Sequence, residues 1–135
     1  MKNFDHEKLL DLAYEAREHA YTPYSHYKVG AALLTKSGKI YQGCNIENAG
    51  YTPTNCAERT AFFKAVYDGE REFEAIAVCA TGASPSYPCG VCRQVMAEFC
   101  DKDFVIITGN NDRSIVVDSN LAEMLPYSFG PKDLL

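Results

Sequence analysis

Apolar residues first recur at helical spacing, with Leu9, Leu12, Ala13, Ala16 and Ala20 on one face of a helix that Asp5 can cap and that ends before Pro23. The pattern then changes to strand-like runs. Residues 27–34 and 39–45 flank Lys36-Ser37-Gly38, which has the composition of a hairpin turn. A loop over 46–55, rich in Asn, Gly, Thr and Pro, follows the hairpin, and long connections inside compact domains are commonly functional. The next helix is predicted to begin near Cys56, with Thr54 or Asn55 as cap, to carry Phe62, Phe63 and Val66, and to stop at Gly69.

Within 73–81, Ile76, Ala77, Val78 and Cys79 form a continuous apolar run, as expected of a strand covered on both faces. After a loop of Gly, Ser and Pro, Pro88 opens a helix with two cysteines in its first turn. Runs at 104–108 and 115–117 predict two more strands around a turn over 109–113, and a short helix over 121–125 stops at Pro126. Strands alternating with helices after an initial hairpin predict one α/β domain spanning 1–135, with helices packed against a mixed sheet.

Composition narrows the function. With 135 residues, 47% of them hydrophobic and 23% charged, the chain suits one globular domain, and a chain near this size buries roughly two thirds of its unfolded surface. Asp5, Glu7, Lys8, Asp11, Glu15 and Arg17 interrupt the first stretch, which argues against a signal peptide or a membrane span and predicts a cytoplasmic protein. In that compartment six cysteines favour metal ligands and buried thiols over disulfides. The net charge of −5 and the lack of any basic run argue against a nucleic-acid partner and favour a small, uncharged ligand.

The candidate chemistry lies in Cys56-Ala57-Glu58 and Pro88-Cys89-Gly90-Val91-Cys92. Three thiolates can hold a tetrahedral Zn²⁺ and leave its fourth position for water, and such a site needs a base that is not itself a ligand. Glu58 has the spacing for that base. Cysteines at helix starts gain from the helix dipole, which favours anionic sulfur. Three thiolates on one Zn²⁺ still leave a net negative charge that something positive should offset. Arg59 and Arg93 each follow a motif by one residue, and Arg59 is predicted to donate hydrogen bonds to a ligand sulfur.

Two plainer readings compete. A structural zinc site would take a fourth sulfur from Cys44, Cys79 or Cys100, but such sites usually pair two short knuckles, and here one ligand stands alone beside Glu58. A Cys-x-x-Cys redox pair at Cys89 and Cys92 leaves Cys56 and Glu58 without a role. Cys44, Cys79 and Cys100 read instead as small buried apolar residues. His6, His19 and His26 are isolated and read as surface or packing positions.

Further strings extend the pattern: Pro23-Tyr24-Ser25-His26, Val29-Gly30-Ala31-Ala32-Leu33-Leu34, Gly43-Cys44-Asn45-Ile46-Glu47-Asn48, Cys56-Ala57-Glu58-Arg59-Thr60-Ala61 and Pro88-Cys89-Gly90-Val91-Cys92-Arg93-Gln94. Together with Leu125-Pro126 and Phe129-Gly130-Pro131, they closely resemble the small homotetrameric cytidine deaminases over nearly the whole chain. The resemblance implies a three-layer α/β/α sandwich with a mixed five-stranded sheet. It also implies one zinc per subunit held by Cys56, Cys89 and Cys92, with Glu58 shuttling protons. The implied reaction is hydrolysis of cytidine or deoxycytidine to the uridine product and ammonia, a step of pyrimidine salvage.

By the same resemblance Asn45 and Glu47 grip the ribose, although from their residue types alone they read as a turn residue and a solvated charge. Tyr27 stands where these enzymes commonly place Phe against the substrate, and Tyr87 stands where Ser or Thr is more usual. Tyr51 and Phe129 are expected to reach into a neighbouring subunit's pocket. The implied partners are a nucleoside and further copies of the chain, with no nucleic acid and no membrane.

Overall fold

Helix α1 (His6–Arg17) starts where the Asp5 carboxylate accepts a hydrogen bond from the Lys8 N–H at 3.0 Å, and it turns Leu9, Leu10, Ala13 and Ala16 inward. The computed structural model describes residues 3–135. A hairpin follows, of β1 (Val29–Thr35) and β2 (Ile40–Cys44), whose turn places Gly38 at φ 95°, a conformation open to glycine at little cost. Then come α2 (Ala57–Tyr67), β3 (Phe73–Ala80), α3 (Gly90–Phe99), β4 (Val105–Gly109), β5 (Val116–Asn120) and α4 (Leu121–Met124), with a 3₁₀ turn at Pro131–Asp133.

The five strands form one sheet in the order β2-β1-β3-β4-β5. β3 and β4 pair in parallel and every other neighbouring pair is antiparallel, so the sheet is mixed. Successive strand residues face opposite sides, and the core divides accordingly. Ala32, Ala75, Ala77, Cys79 and Ile107 pack against Leu9, Leu10 and Ala13 of α1. On the other face Ala31, Leu33, Ile76, Val78 and Ile106 pack with Phe62 of α2 and Met96 of α3. The result is the expected three-layer sandwich.

This topology positions the cysteines. β2 and β3 both run antiparallel to β1, so they point the same way, and the helices that follow them begin at the same edge of the sheet. Gly43 brings the first of these helices in closely, since a Cβ there would collide with the backbone of Ala57 and Ala61 in α2.

Several element boundaries differ from those the sequence predicts. β1 begins at Val29 rather than at 27, because the preceding residues are bonded into a loop around Glu47. Thr54 and Asn55 do not cap α2: Thr54 Oγ1 accepts from the Asn48 N–H at 3.1 Å, and Asn55 Nδ2 donates to Thr60 Oγ1 at 3.1 Å. Cys56 takes the cap position itself, and α3 begins at Gly90, capped by Cys89, rather than at Pro88. Cys79 is buried as expected, whereas Cys44 and Cys100 are only half-buried, and Cys44 Sγ donates to His19 O at 3.4 Å. Among the described residues no helix is long and apolar enough to cross a membrane.

Candidate metal centre

Cys56 and Cys89 share one local geometry, each an extended residue directly before a helix, with φ −75° and ψ 155° at Cys56 and φ −69° and ψ 170° at Cys89. Cys92 lies in the first turn of α3 and is buried. All three sulfurs therefore sit at the positive ends of helix dipoles. The Sγ atoms of Cys56 and Cys89 are 3.8 Å apart, those of Cys89 and Cys92 3.6 Å, and all three lie within 4.8 Å of one another. A tetrahedral zinc with bonds of about 2.3 Å to sulfur needs its sulfurs about 3.8 Å apart, so the trio fits that ion with little movement. Among the described residues no fourth Cys, His, Asp or Glu belongs to this group. That speaks against a four-sulfur structural site and leaves one coordination position for another ligand.

Arg59 Nη2 donates to Cys56 Sγ at 3.2 Å, and its guanidinium also acts electrostatically on Cys92. The Cys56 thiol is pulled down to about 5, first by the hydrogen bond from the Cys92 thiol and then by the bond and charge of Arg59, against the opposing effect of burial. Cys92 moves up, because it gives its proton to that bond and is buried. The Arg59 guanidinium beside these sulfurs favours their anionic form, the form in which they would ligate a dication. Arg93 plays a different part. Its Nε donates to Pro88 O at 2.7 Å and its Nη1 to Met124 O at 2.6 Å, which ties the start of α3 to the end of α4.

Glu58, two residues past the Cys56 cap, is 5% exposed. Burial pushes its carboxyl up to about 7, and the Cys56 thiolate adds to the rise, while its own backbone N–H and Arg59 pull the other way. A carboxyl poised near neutrality can both accept and return a proton.

Residues 4–108 match the family described as the cytidine and deoxycytidylate deaminase zinc-binding region. The chain belongs to this deaminase family. It is 52% identical over 130 residues to a cytidine deaminase of Sporosarcina psychrophila, covering 96% of this chain and 95% of that one. It is 44% identical over 131 residues to a probable cytidine deaminase of Dictyostelium discoideum, covering 96% of this chain and 86% of that one. The crystal structure of a cytidine deaminase from Burkholderia pseudomallei superposes with a TM-score of 0.89 at 46% identity, over 93% of this chain and 100% of that one.

The deaminase-family match contains the three thiols, Glu58 and the candidate sugar-side residues, which are committed to their own chain in a way the sequence does not reveal. Asn45 Oδ1 accepts from the Val29 N–H at 2.9 Å and its Nδ2 donates to Tyr27 O at 2.8 Å. Glu47 Oε1 accepts from the N–H groups of Tyr24 at 3.0 Å and Ser25 at 3.2 Å, and its Oε2 accepts from the Ser25 hydroxyl. That hydroxyl, with the two N–H groups, holds the Glu47 carboxyl below its ordinary value. Both residues thus grip the segment 24–29 that carries Tyr27.

Tyr51 adopts a left-handed backbone (φ 61°), which costs a non-glycine residue on the order of 1 kcal/mol or more, and its ring is 78% exposed. Phe129 is 58% exposed, although its carbonyl accepts from Gln94 Nε2 at 2.8 Å. Neither ring is buried within this chain.

Proposed function

We propose that the chain is a single-domain, zinc-dependent aminohydrolase that converts cytidine and deoxycytidine to uridine and deoxyuridine, with release of ammonia. One observation carries the reading: a buried carboxyl, Glu58, stands beside three thiols at tetrahedral spacing that leave a coordination position free. The cytidine deaminase names of the relatives support the substrate.

Cys56, Cys89 and Cys92 would hold a zinc ion, which would supply a Lewis acid that lowers the pKa of the attacking water. Glu58 takes the first proton from the attacking water and delivers it to N3 of the pyrimidine, which makes C4 electrophilic as the water oxygen adds to it. Glu58 then carries the remaining hydroxyl proton to the exocyclic nitrogen. The C4–N bond breaks with its electron pair going to nitrogen, ammonia leaves, and the C4 carbonyl forms. Arg59 offsets the sulfur charge throughout.

Asn45 and Glu47 hold the sugar. The amide keeps a second N–H and a second lone pair after its backbone bonds, and the ionised carboxylate keeps further lone pairs for a hydroxyl donor. A negative carboxylate beside the sugar also disfavours a phosphorylated substrate. Tyr27 lies against the nucleoside. The exposed rings of Tyr51 and Phe129 enter the pockets of neighbouring subunits in a homotetramer. The enzyme acts in pyrimidine salvage in the cytoplasm.

The test is ammonia release by the zinc-loaded protein offered cytidine, cytidine monophosphate, cytosine or single-stranded DNA. Rapid release from cytidine alone supports the reading. Equal release from the monophosphate removes Glu47 as a sugar-side discriminator, and silence with every substrate overturns the deaminase.

A further inference from the structure

Between β3 and α3 the chain runs through residues 81–88 with no helix or strand of its own before reaching the Cys89 cap. The loop starts beside Tyr27. The Thr81 N–H donates to Lys28 O at 3.1 Å, and the Lys28 N–H donates to Thr81 Oγ1 at 3.3 Å. Gly82 is so near the Tyr27 ring that a Cβ there would lie 3.3 Å from the phenol oxygen.

The middle of the loop is held by the β4–β5 turn. Asn110 Nδ2 donates to Ala83 O at 2.9 Å, and the Asn111 N–H donates to Gly82 O at 2.9 Å. The turn is itself anchored. Asn110 Oδ1 accepts from the Ile115 N–H at 2.9 Å, Tyr14 Oη donates to Asn110 O at 2.5 Å, and Arg17 Nη1 donates to Ala80 O at 3.2 Å and Asn111 O at 3.1 Å. The Tyr14 hydroxyl reaches the turn because residue 109 is glycine, where a Cβ would collide with it.

An asparagine needed only for a tight bend bonds within its own turn and faces water. Asn110 is 3% exposed, and besides bonding Ser114 Oγ within the turn at 3.0 Å, its amide nitrogen reaches a carbonyl 27 residues away in sequence. We propose that Asn110 is a positioning residue for substrate binding. By fixing the Ala83 carbonyl directly and the Gly82 carbonyl through its neighbour, it holds the wall against which Tyr27 lies and so sets the place of the ring that faces the nucleoside. This rests on the assignment of Tyr27 to the substrate.

Asn110→Asp keeps the shape and the acceptor for the Ile115 N–H but turns an oxygen instead of a donor toward Ala83 O. Losing a buried donor of this kind raises KM for cytidine about tenfold. Because the loss falls on binding, kcat stays within about twofold. Zinc content is unchanged, and backbone hydrogen exchange in 81–88 is faster. Tyr14→Phe, which removes only the hydroxyl bond to Asn110 O, shifts KM the same way by a smaller factor and keeps the test decisive if Asn110→Asp does not fold. An unchanged KM alongside a loosened loop overturns the proposal. So does a fall in kcat and zinc content with KM held, which assigns the loop to Cys89 instead. Absence of both turnover and cytidine binding in the unsubstituted protein sinks the nucleoside reading and this proposal together; normal turnover in all variants with one common KM sinks only the proposal.

Discussion

The two ends of the site are built on opposite plans. At the metal end the key side chains answer to charge: the thiols at two helix starts, the guanidinium of Arg59 and the buried carboxyl of Glu58 shift one another's protonation. At the end proposed to hold the sugar, Asn45 and Glu47 are first used by their own backbone, holding 24–29 in place. Groups that must move protons need an environment that sets their pKa. Groups that must recognise a shape need a fixed orientation, which bonds to the backbone provide.

Substitutions at the two ends should therefore fail differently, and the sharpest contrast is at Glu58. Glu58→Gln is expected to lower kcat by about 10³-fold or more while metal analysis finds the zinc retained; appreciable residual turnover would remove Glu58 from the chemistry. Arg59→Gln comes next. It is expected to weaken zinc about ten- to hundredfold in competition with a chelator, because the sulfur charge loses its counterion; undiminished affinity would show that the helix starts suffice. Glu47→Gln is expected to raise KM for cytidine about tenfold with kcat little changed. An equal fall in kcat would break the division between the two ends.

The smallest effect is on acid stability. The Glu47 carboxyl is lowered in the folded chain by the Ser25 hydroxyl first and by the two backbone N–H groups. Its contribution to stability is therefore fully present above the ordinary carboxylate range and is lost as pH falls through the lowered folded value. Glu47→Gln should flatten that part of the acid unfolding curve followed by circular dichroism, and an unaltered curve would show that the ionised carboxylate adds nothing to the loop.

Much of this architecture is legible in the residues. The Asp5 cap, the Gly38 turn, the five strand runs and the three thiols follow from spacing and residue type. The helix starts are less legible because capping rules look for a side-chain oxygen, whereas Cys56 and Cys89 cap by backbone shape with no side-chain hydrogen bond. The backbone bonds of Asn45 are invisible in sequence, since its partners at Tyr27 and Val29 lie across the hairpin. Asn110 gives still less sign: Gly109-Asn110-Asn111-Asp112 reads as an ordinary turn, and only the tertiary fold brings it to Ala83.

The sulfurs of Cys56 and Cys89, 33 positions apart in the chain, meet with α2 and β3 between them. An ion bound there is also a cross-link. It closes a loop that the unfolded chain would otherwise leave open, a constraint worth about 3 to 4 kcal/mol of chain entropy if it behaves as a covalent bridge of that span does. Because that loop includes α2 and the central strand β3, the constraint falls on the unfolded state of the middle of the fold. Stripping the metal would then remove a fastening of the fold as well as a reagent, and heat resistance should decline together with catalysis when the ion is withdrawn.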